Sequence, residues 1–326
     1  MKKSIYYGNL AQVEGVEAYR LEDGRGDGVR MYRVRTQTGL EVEICRDRCM
    51  DITRLIFKGD NMGYFSPCGH VAPTYYDARE AEMVRSFTGG FLTTCGIDNV
   101  GGDCEVEGVK YPLHGRISNQ PARHSYWTED EEAFYLYGVM EQKALFLEKI
   151  ELQRMIRISK KDNSISVEDT VINCGEQTIP CMILYHMNMG YPLLSEKAII
   201  DIPSQKISPR NDFAKENISN WNEITKPGTL SEEVCYFHEF KKEGYAKIFN
   251  PTIKKGVEIT FDAEKLPCFT QWKMMGKYDY VLGLEPGNCY PNGRKDGLEK
   301  GELVLLEEQE KVNYKIKIQL VEEEKC

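Results

Sequence analysis

Three short segments join an ionisable residue to turn-forming neighbours: Leu113-His114-Gly115-Arg116, Tyr185-His186-Met187-Asn188-Met189-Gly190-Tyr191 and Gly283-Leu284-Glu285-Pro286-Gly287-Asn288. Such combinations present side chains from a sheet edge into a cleft. An imidazole and a carboxylate that meet there can take a proton from one ligand atom and give one to another, each contributing about 10²- to 10⁴-fold. Each residue also has an ordinary explanation. His186 ends the apolar run Met182-Ile183-Leu184-Tyr185, as a core histidine does, and His114 before Gly115 suits a turn. Glu285 is more pointed: it follows Leu282-Gly283-Leu284 where a strand should be partly buried, and a buried carboxylate needs a partner or a purpose. Pro286 is expected to stop the ladder behind it. Two histidines and a carboxylate are also a known metal set, but the short His spacings that accompany such sites are missing from the sequence. A fourth segment, Arg85 to Gly96, sets a cation beside the Gly-rich turn Thr88-Gly89-Gly90.

The elements that must carry these residues read as strands. Leu40-Glu41-Val42-Glu43-Ile44 alternates apolar and polar side chains, and a period of two puts one face on a core. Ile150 to Ile158 and Ile165 to Val171 alternate likewise around Lys161-Asp162-Asn163-Ser164, which has hairpin composition. Val257, Ile259 and Phe261 continue the pattern, as do Val312, Tyr314, Ile316, Ile318 and Leu320. Helical signals are few: Asp77 to Phe87 offers about three turns with Asp77 as N-cap, and a second candidate begins at Ser231. Alternating strands and full-length helices, the mark of a parallel doubly wound sheet, are lacking. Gly101-Gly102-Asp103, Pro209 to Asp212 and Pro286 to Gly297 read as long connections over a sheet. With no internal repeat and no linker, residues 1–326 are expected to form a single domain.

The 326 residues are long enough for a large core without staples, and 41% hydrophobic with 29% charged residues fits a globular protein. A net charge of -9 argues against a nucleic-acid partner, since phosphate binding needs concentrated Lys and Arg. The N-terminal Met1-Lys2-Lys3 leads into no apolar core or cleavage site, and no apolar run approaches the ~20 residues of a membrane span. The expectation is a cytoplasmic protein without a membrane partner. Eleven scattered cysteines, none in a Cys-x-x-Cys pair, read as reduced thiols.

Taken together, Gly89-Gly90-Phe91-Leu92-Thr93-Thr94-Cys95-Gly96, Leu113-His114-Gly115-Arg116-Ile117-Ser118-Asn119, Tyr185-His186-Met187-Asn188 and Leu284-Glu285-Pro286 resemble the galactose mutarotase-like superfamily, in its aldose 1-epimerase-like branch. The likeness runs from about Leu40 to the end. It implies an all-β fold, a large antiparallel β-sandwich (supersandwich) with few short helices. It also implies a carbohydrate-binding isomerase that interconverts sugar anomers by acid/base ring opening, without a cofactor. Carried over, His114 binds the sugar, His186 is the general acid and Glu285 the general base. Arg85 matches an arginine near the sugar hydroxyls, with Arg116 and Arg48 as weaker matches. The aspartate that holds hydroxyls in the best-known mutarotases has no obvious counterpart; Asn188, Gln271 and Trp272 can substitute, an indole face with an amide being a common way to hold a pyranose. Asp98 and Asn99 are further polar candidates. A non-catalytic carbohydrate-binding protein and another sugar isomerase using the same acid and base stay open, as do the identity of the sugar, any charged group on it, and a homodimer.

Overall fold

The computed structural model describes residues 5–230 and 232–323. Strands dominate. An eight-stranded sheet runs in the order Ala122–Glu129, Ala133–Lys143, Lys149–Ser159, Ser164–Asn173, Lys311–Glu322, Lys255–Asp262, Glu243–Asn250, Ile199–Asp201. A seven-stranded sheet runs Lys206–Pro209, Val234–Glu239, Cys268–Met275, Tyr280–Gly287, Ile179–Met189, Val304–Leu306, with Leu92–Ile97 also paired to Ile179–Met189. Gly15–Arg20, Arg30–Arg35, Leu40–Cys45, Asp51–Phe57 and Asp60–Asn61 form a five-stranded sheet. Every named strand pairing is antiparallel, so the chain is an antiparallel all-β protein. The α-helices among the described residues are Asp212–Glu216 and Arg294–Lys300, neither long and apolar enough to cross a membrane.

Alternation explains the layering. In Lys149–Ser159 the side chains of Ile150, Leu152, Ile156 and Ile158 are buried in one core with Leu40, Val42 and Ile44 from the five-stranded sheet and Ile183, Tyr185, Leu282 and Leu284 from the seven-stranded one. Arg154 occupies an inward position of the same strand and is wholly buried. Its five N–H groups are all used: Nε and Nη2 donate to Asp169 at 2.9 and 2.7 Å, Nη1 to Asp51 Oδ1 at 2.7 Å and to Cys49 O at 2.9 Å, and Nη2 to Thr94 Oγ1 at 2.8 Å. Thr94 in turn donates to Asp51, and the Tyr185 hydroxyl to Asp169 at 2.8 Å. The knot ties all three sheets together through fully partnered charges, the condition under which a buried ion pair is tolerated.

Both helical expectations fail. In the segment from Asp77 to Phe87 only Glu82–Arg85 makes a 3-10 turn. Asp77 does not cap a helix; its carboxylate accepts from the Arg79 backbone, and the Glu80 carbonyl is taken by Leu113 N–H. Ser231 lies outside the described residues, and from Val234 the chain is a strand bound to Cys268–Met275. Pro286 does not end its strand: it pairs with Phe269 and the ladder continues to Gly287.

Replacing Arg154 with Met leaves Asp51 and Asp169 buried without their cation. The expected loss is about 3–5 kcal/mol, read as a lower urea midpoint in circular dichroism; a shift worth less than about 1 kcal/mol contradicts the role given to the knot.

Candidate functional site

The strand Ile179–Met189 presents Tyr185 to the inner knot, so His186 faces the opposite side. Register then fixes its neighbours. Thr93 lies opposite His186 on one side. On the other, the pairing of Leu184 with Gly287 and Met187 with Leu284 brings Glu285 opposite His186, and Glu285 pairs in turn with Thr270. Four strands thus lay Thr93, His186, Glu285 and Thr270 in a row on one sheet face. His186 Nε2 is 3.2 Å from Glu285 Oε1, a cross-strand contact made by backbone register alone. Gly283 makes it fit: a Cβ there would overlap Glu285 Oε1 and crowd Trp272 Cβ at 3.1 Å.

His114 arrives from a loop. Its backbone φ of +56° is left-handed, followed by Gly115 at +71°, an arrangement that a non-glycine residue holds at a cost of roughly 1–3 kcal/mol. Backbone bonds pin it: His114 N–H donates to Gly101 O, and Gly96 N–H donates to His114 O, each at 2.9 Å. The ring Nδ1 accepts from Gly101 N–H at 3.3 Å, so a neutral His114 carries its proton on Nε2 and acts as a donor. Its ring centroid lies 5.8 Å from that of His186, and the Trp272 ring lies 5.2 Å from His186 on the far side.

These side chains line a cleft of about 300 Å³ with Phe87, Met83, Arg210, Glu233, Cys235 and Thr270. Trp272 is held in place by its indole N–H, which donates to Glu233 Oε2 at 2.8 Å, and Arg210 Nη2 donates to Glu233 Oε1 at 2.6 Å. Three buried polar atoms of the cleft have no hydrogen bond in the protein: His186 Nδ1, Glu285 Oε1 and Thr270 Oγ1. Unpaired buried polar groups cost about 1–3 kcal/mol each, and Glu285 Oε1 and Thr270 Oγ1 make the cleft a candidate ligand site. Other depressions are wider, one of about 710 Å³ around Cys268 and Tyr290 and one of about 660 Å³ on the outside of the eight-stranded sheet around Tyr126 and Tyr137. In the latter the polar groups satisfy one another, Lys315 with Glu168 at 2.6 Å and Thr170 with Asn313 at 2.7 Å, so the smaller cleft is the better candidate.

Burial governs the charge states. The Glu285 carboxyl is pushed well above the usual carboxylate range by desolvation and then by Glu233, against Arg210. His186 is pulled down to about 3 by desolvation and by the neighbouring His114, and His114 to about 4 by desolvation, with Glu233 opposing and Arg210 assisting. Without a ligand the cleft favours neutral rings beside a protonated carboxyl.

Of the residues expected from the sequence, His114, His186, Glu285 and Trp272 meet here. Others do not reach the cleft. Arg85 belongs to the right segment, since Met83 and Phe87 line the wall, but the 3-10 turn points it outward, where it is 76% exposed and paired with Glu82. Arg116 is spent on the buried Asp98 carboxylate and the Lys110 carbonyl, so Asp98 is a structural partner and not a sugar contact. Arg48 donates to the Val71 and Ser86 carbonyls. Asn99 ties down Gly102 and Pro112 around the His114 loop. Gln271 lies one residue from Trp272 and therefore on the other sheet face, bonded to His238 and the Trp221 carbonyl. Asn188 is wholly buried beside His186 and bonds Gly90 O and His186 O. The sequence reading missed Arg210, Glu233, Phe87 and Thr270 as wall residues. Thr270 was within reach as the residue two before Trp272 on the same strand face, whereas Arg210 and Glu233 flank irregular segments with no periodic signal.

A family model for a domain of unknown function (DUF4432) matches residues 26–320. No functionally curated protein matches the chain in sequence. Among solved structures, a candidate aldose 1-epimerase from Klebsiella pneumoniae superposes with a TM-score of 0.87 at 23% identity, over 94% of this chain and 83% of that one. A galactose mutarotase-like protein from Clostridium acetobutylicum gives 0.69 at 13% identity over 96% and 100% of the two chains. A galactose 1-epimerase from Lactobacillus acidophilus gives 0.64 at 13% identity over 95% and 99%. At these identities the likeness is one of fold: this is the galactose mutarotase-like β-sandwich.

A depressed histidine pKa makes stability fall with acid. The unfolded chain takes up protons near the ordinary value of about 6.5, while the buried rings refuse them until about 4 for His114 and about 3 for His186. The histidines' contribution to stability is therefore full above that unfolded value and declines as pH drops through the window below it. Within the window His186→Gln is expected to remove about 1.4 kcal/mol per pH unit from the slope of unfolding free energy, measured by urea titrations at stepped pH. An unchanged slope contradicts the buried neutral ring.

Proposed function

From the premise that this chain belongs to the family described as a domain of unknown function (DUF4432) and shares the galactose mutarotase-like fold, we propose that it is an aldose 1-epimerase that interconverts the anomers of a reducing sugar. The observation that carries the reading is the contact of His186 Nε2 with Glu285 Oε1 at 3.2 Å in the wall of the cleft, where both side chains are buried. Ring opening needs a base for the anomeric hydroxyl proton and an acid for the ring oxygen, with the roles reversed on closure after rotation about C1–C2. A neutral imidazole beside a protonated carboxyl, and an imidazolium beside a carboxylate, hold the same number of protons. The pair can therefore give one proton and take one in each half-reaction and end as it began. No external proton donor is required.

The remaining wall suits a pyranose. Trp272, fixed through Glu233, offers an indole face to C–H groups. His114 offers an Nε2–H donor, and Thr270 a free hydroxyl. Arg210 takes the place expected of Arg85: it lines the cleft with one guanidinium nitrogen on Glu233.

Polarimetry on freshly dissolved aldoses tests the proposal. The wild-type protein is expected to accelerate equilibration, with Glu285→Gln and His186→Gln each lowering kcat by about 10²- to 10⁴-fold while sugar binding, followed by calorimetry, is largely kept. Equal rates for mutants and wild type sink the proposal; binding without any acceleration leaves a carbohydrate-binding protein in its place.

A further inference from the structure

Two buried polar atoms on one strand face lack a hydrogen bond: Nδ1 of His186 and Oδ1 of Asn188. The residues are two apart on the strand Ile179–Met189, so their side chains leave the same face. Asn188 Nδ2 donates to Gly90 O at 3.2 Å and to His186 O at 3.0 Å. Two carbonyl partners can face only the NH₂ end of an amide, which settles its orientation and leaves Oδ1 as the outward acceptor. Asn188 is wholly buried, so that acceptor must be satisfied within the protein. The Asn188 side chain favours the protonated His186 ring, as does the His186 carbonyl, but that carbonyl is already engaged by Asn188 Nδ2.

We propose that Asn188 is the positioning residue of the cleft: its Oδ1 accepts the His186 Nδ1–H and so reserves Nε2, the atom facing Glu285, for proton exchange. Closing that bond satisfies both orphan atoms at once. The fixed tautomer has a consequence for roles. A neutral ring protonated on Nδ1 has a lone pair on Nε2, and the mobile proton of the pair then sits on the Glu285 carboxyl, the state that its burial favours. The kinetic side of this inference rests on the anomer-exchange reading; the tautomer does not.

Two-bond ¹H–¹⁵N spectra of the histidine rings provide the test, with the His186 signals identified by their loss in His186→Gln. The wild-type His186 ring is expected in the Nδ1–H form, and Asn188→Leu to shift it toward Nε2–H. Asn188→Asp keeps an acceptor and is expected to retain the Nδ1–H form. By polarimetry Asn188→Leu should lower kcat about 10- to 100-fold with KM within about twofold, and Asn188→Asp should recover most of the loss. The aspartate adds a negative charge to a ring that otherwise faces His114 and Glu285, with Arg210 and Glu233 beyond, so the acid limb of its pH–rate profile should move upward. A wild-type ring in the Nε2–H form, or a tautomer unchanged in Asn188→Leu, overturns the proposal. Wild type and Asn188→Asp decide it alone if the leucine variant does not fold. The spectra need no substrate, so an absence of anomer exchange would sink the activity and leave the tautomer assignment standing or falling on its own result.

Discussion

The buried guanidinium of Arg154 is the constraint on which the architecture of the site depends. It spends all five N–H donors on Asp169, Asp51, Thr94 and the Cys49 carbonyl, and Tyr185 completes the Asp169 shell. Thr94 and Tyr185 are cross-strand partners, so the knot locks the inward face of the two strands at that pair. Because side chains alternate, the next pair, Thr93 and His186, must face outward. A slip of one residue would turn His186 into the core and break the knot at once. The energy spent on burying charge thus selects one register, and that register carries His186 to Glu285.

From this follows the electrical character of the cleft. His186 and Glu285 are buried, and burial disfavours every isolated charge. The charges that remain are paired, Arg210 with Glu233, and that pair doubles as the brace for Trp272. What is left over is a set of neutral groups able to exchange one proton, in surroundings where the energy of moving it responds strongly to a bound hydroxyl. In the proposed reaction, binding and proton transfer draw on the same desolvation.

Much of this was legible in the residues, and the physical reasons for the rest are specific. The strands at Leu40–Cys45, Lys149–Ser159, Ser164–Asn173, Lys255–Asp262 and Lys311–Glu322 announce themselves because apolar side chains recur at every second position along them. His114, His186 and Glu285 stood out because ionisable residues among Gly and apolar neighbours are unusual. Arg85, Arg116, Asp98 and Gln271 misled because residue type says nothing about which way a loop turns or which face a strand shows: Gln271 and Trp272 are adjacent, yet only one can enter the cleft. Arg154 shows the same limit. Its place in an alternating run made it an inward residue, but its partners Asp51 and Thr94 lie 103 and 60 residues away, and no local pattern reports such a meeting. The apparent helix at Asp77 to Phe87 was lost because the Asp77 carboxylate and the Glu80 carbonyl are claimed by other partners.

A crystal structure of the protein soaked with a slowly exchanging reducing sugar would show whether one imidazole and one carboxyl act on a single sugar ring. The expected result is a pyranose stacked on Trp272 in the cleft of about 300 Å³, with its ring oxygen and anomeric hydroxyl each within hydrogen-bonding distance, about 2.6–3.2 Å, of His186 or Glu285. A sugar seated instead on the outer face beside Tyr126 and Tyr137, or one whose anomeric carbon points away from Glu285, would contradict it.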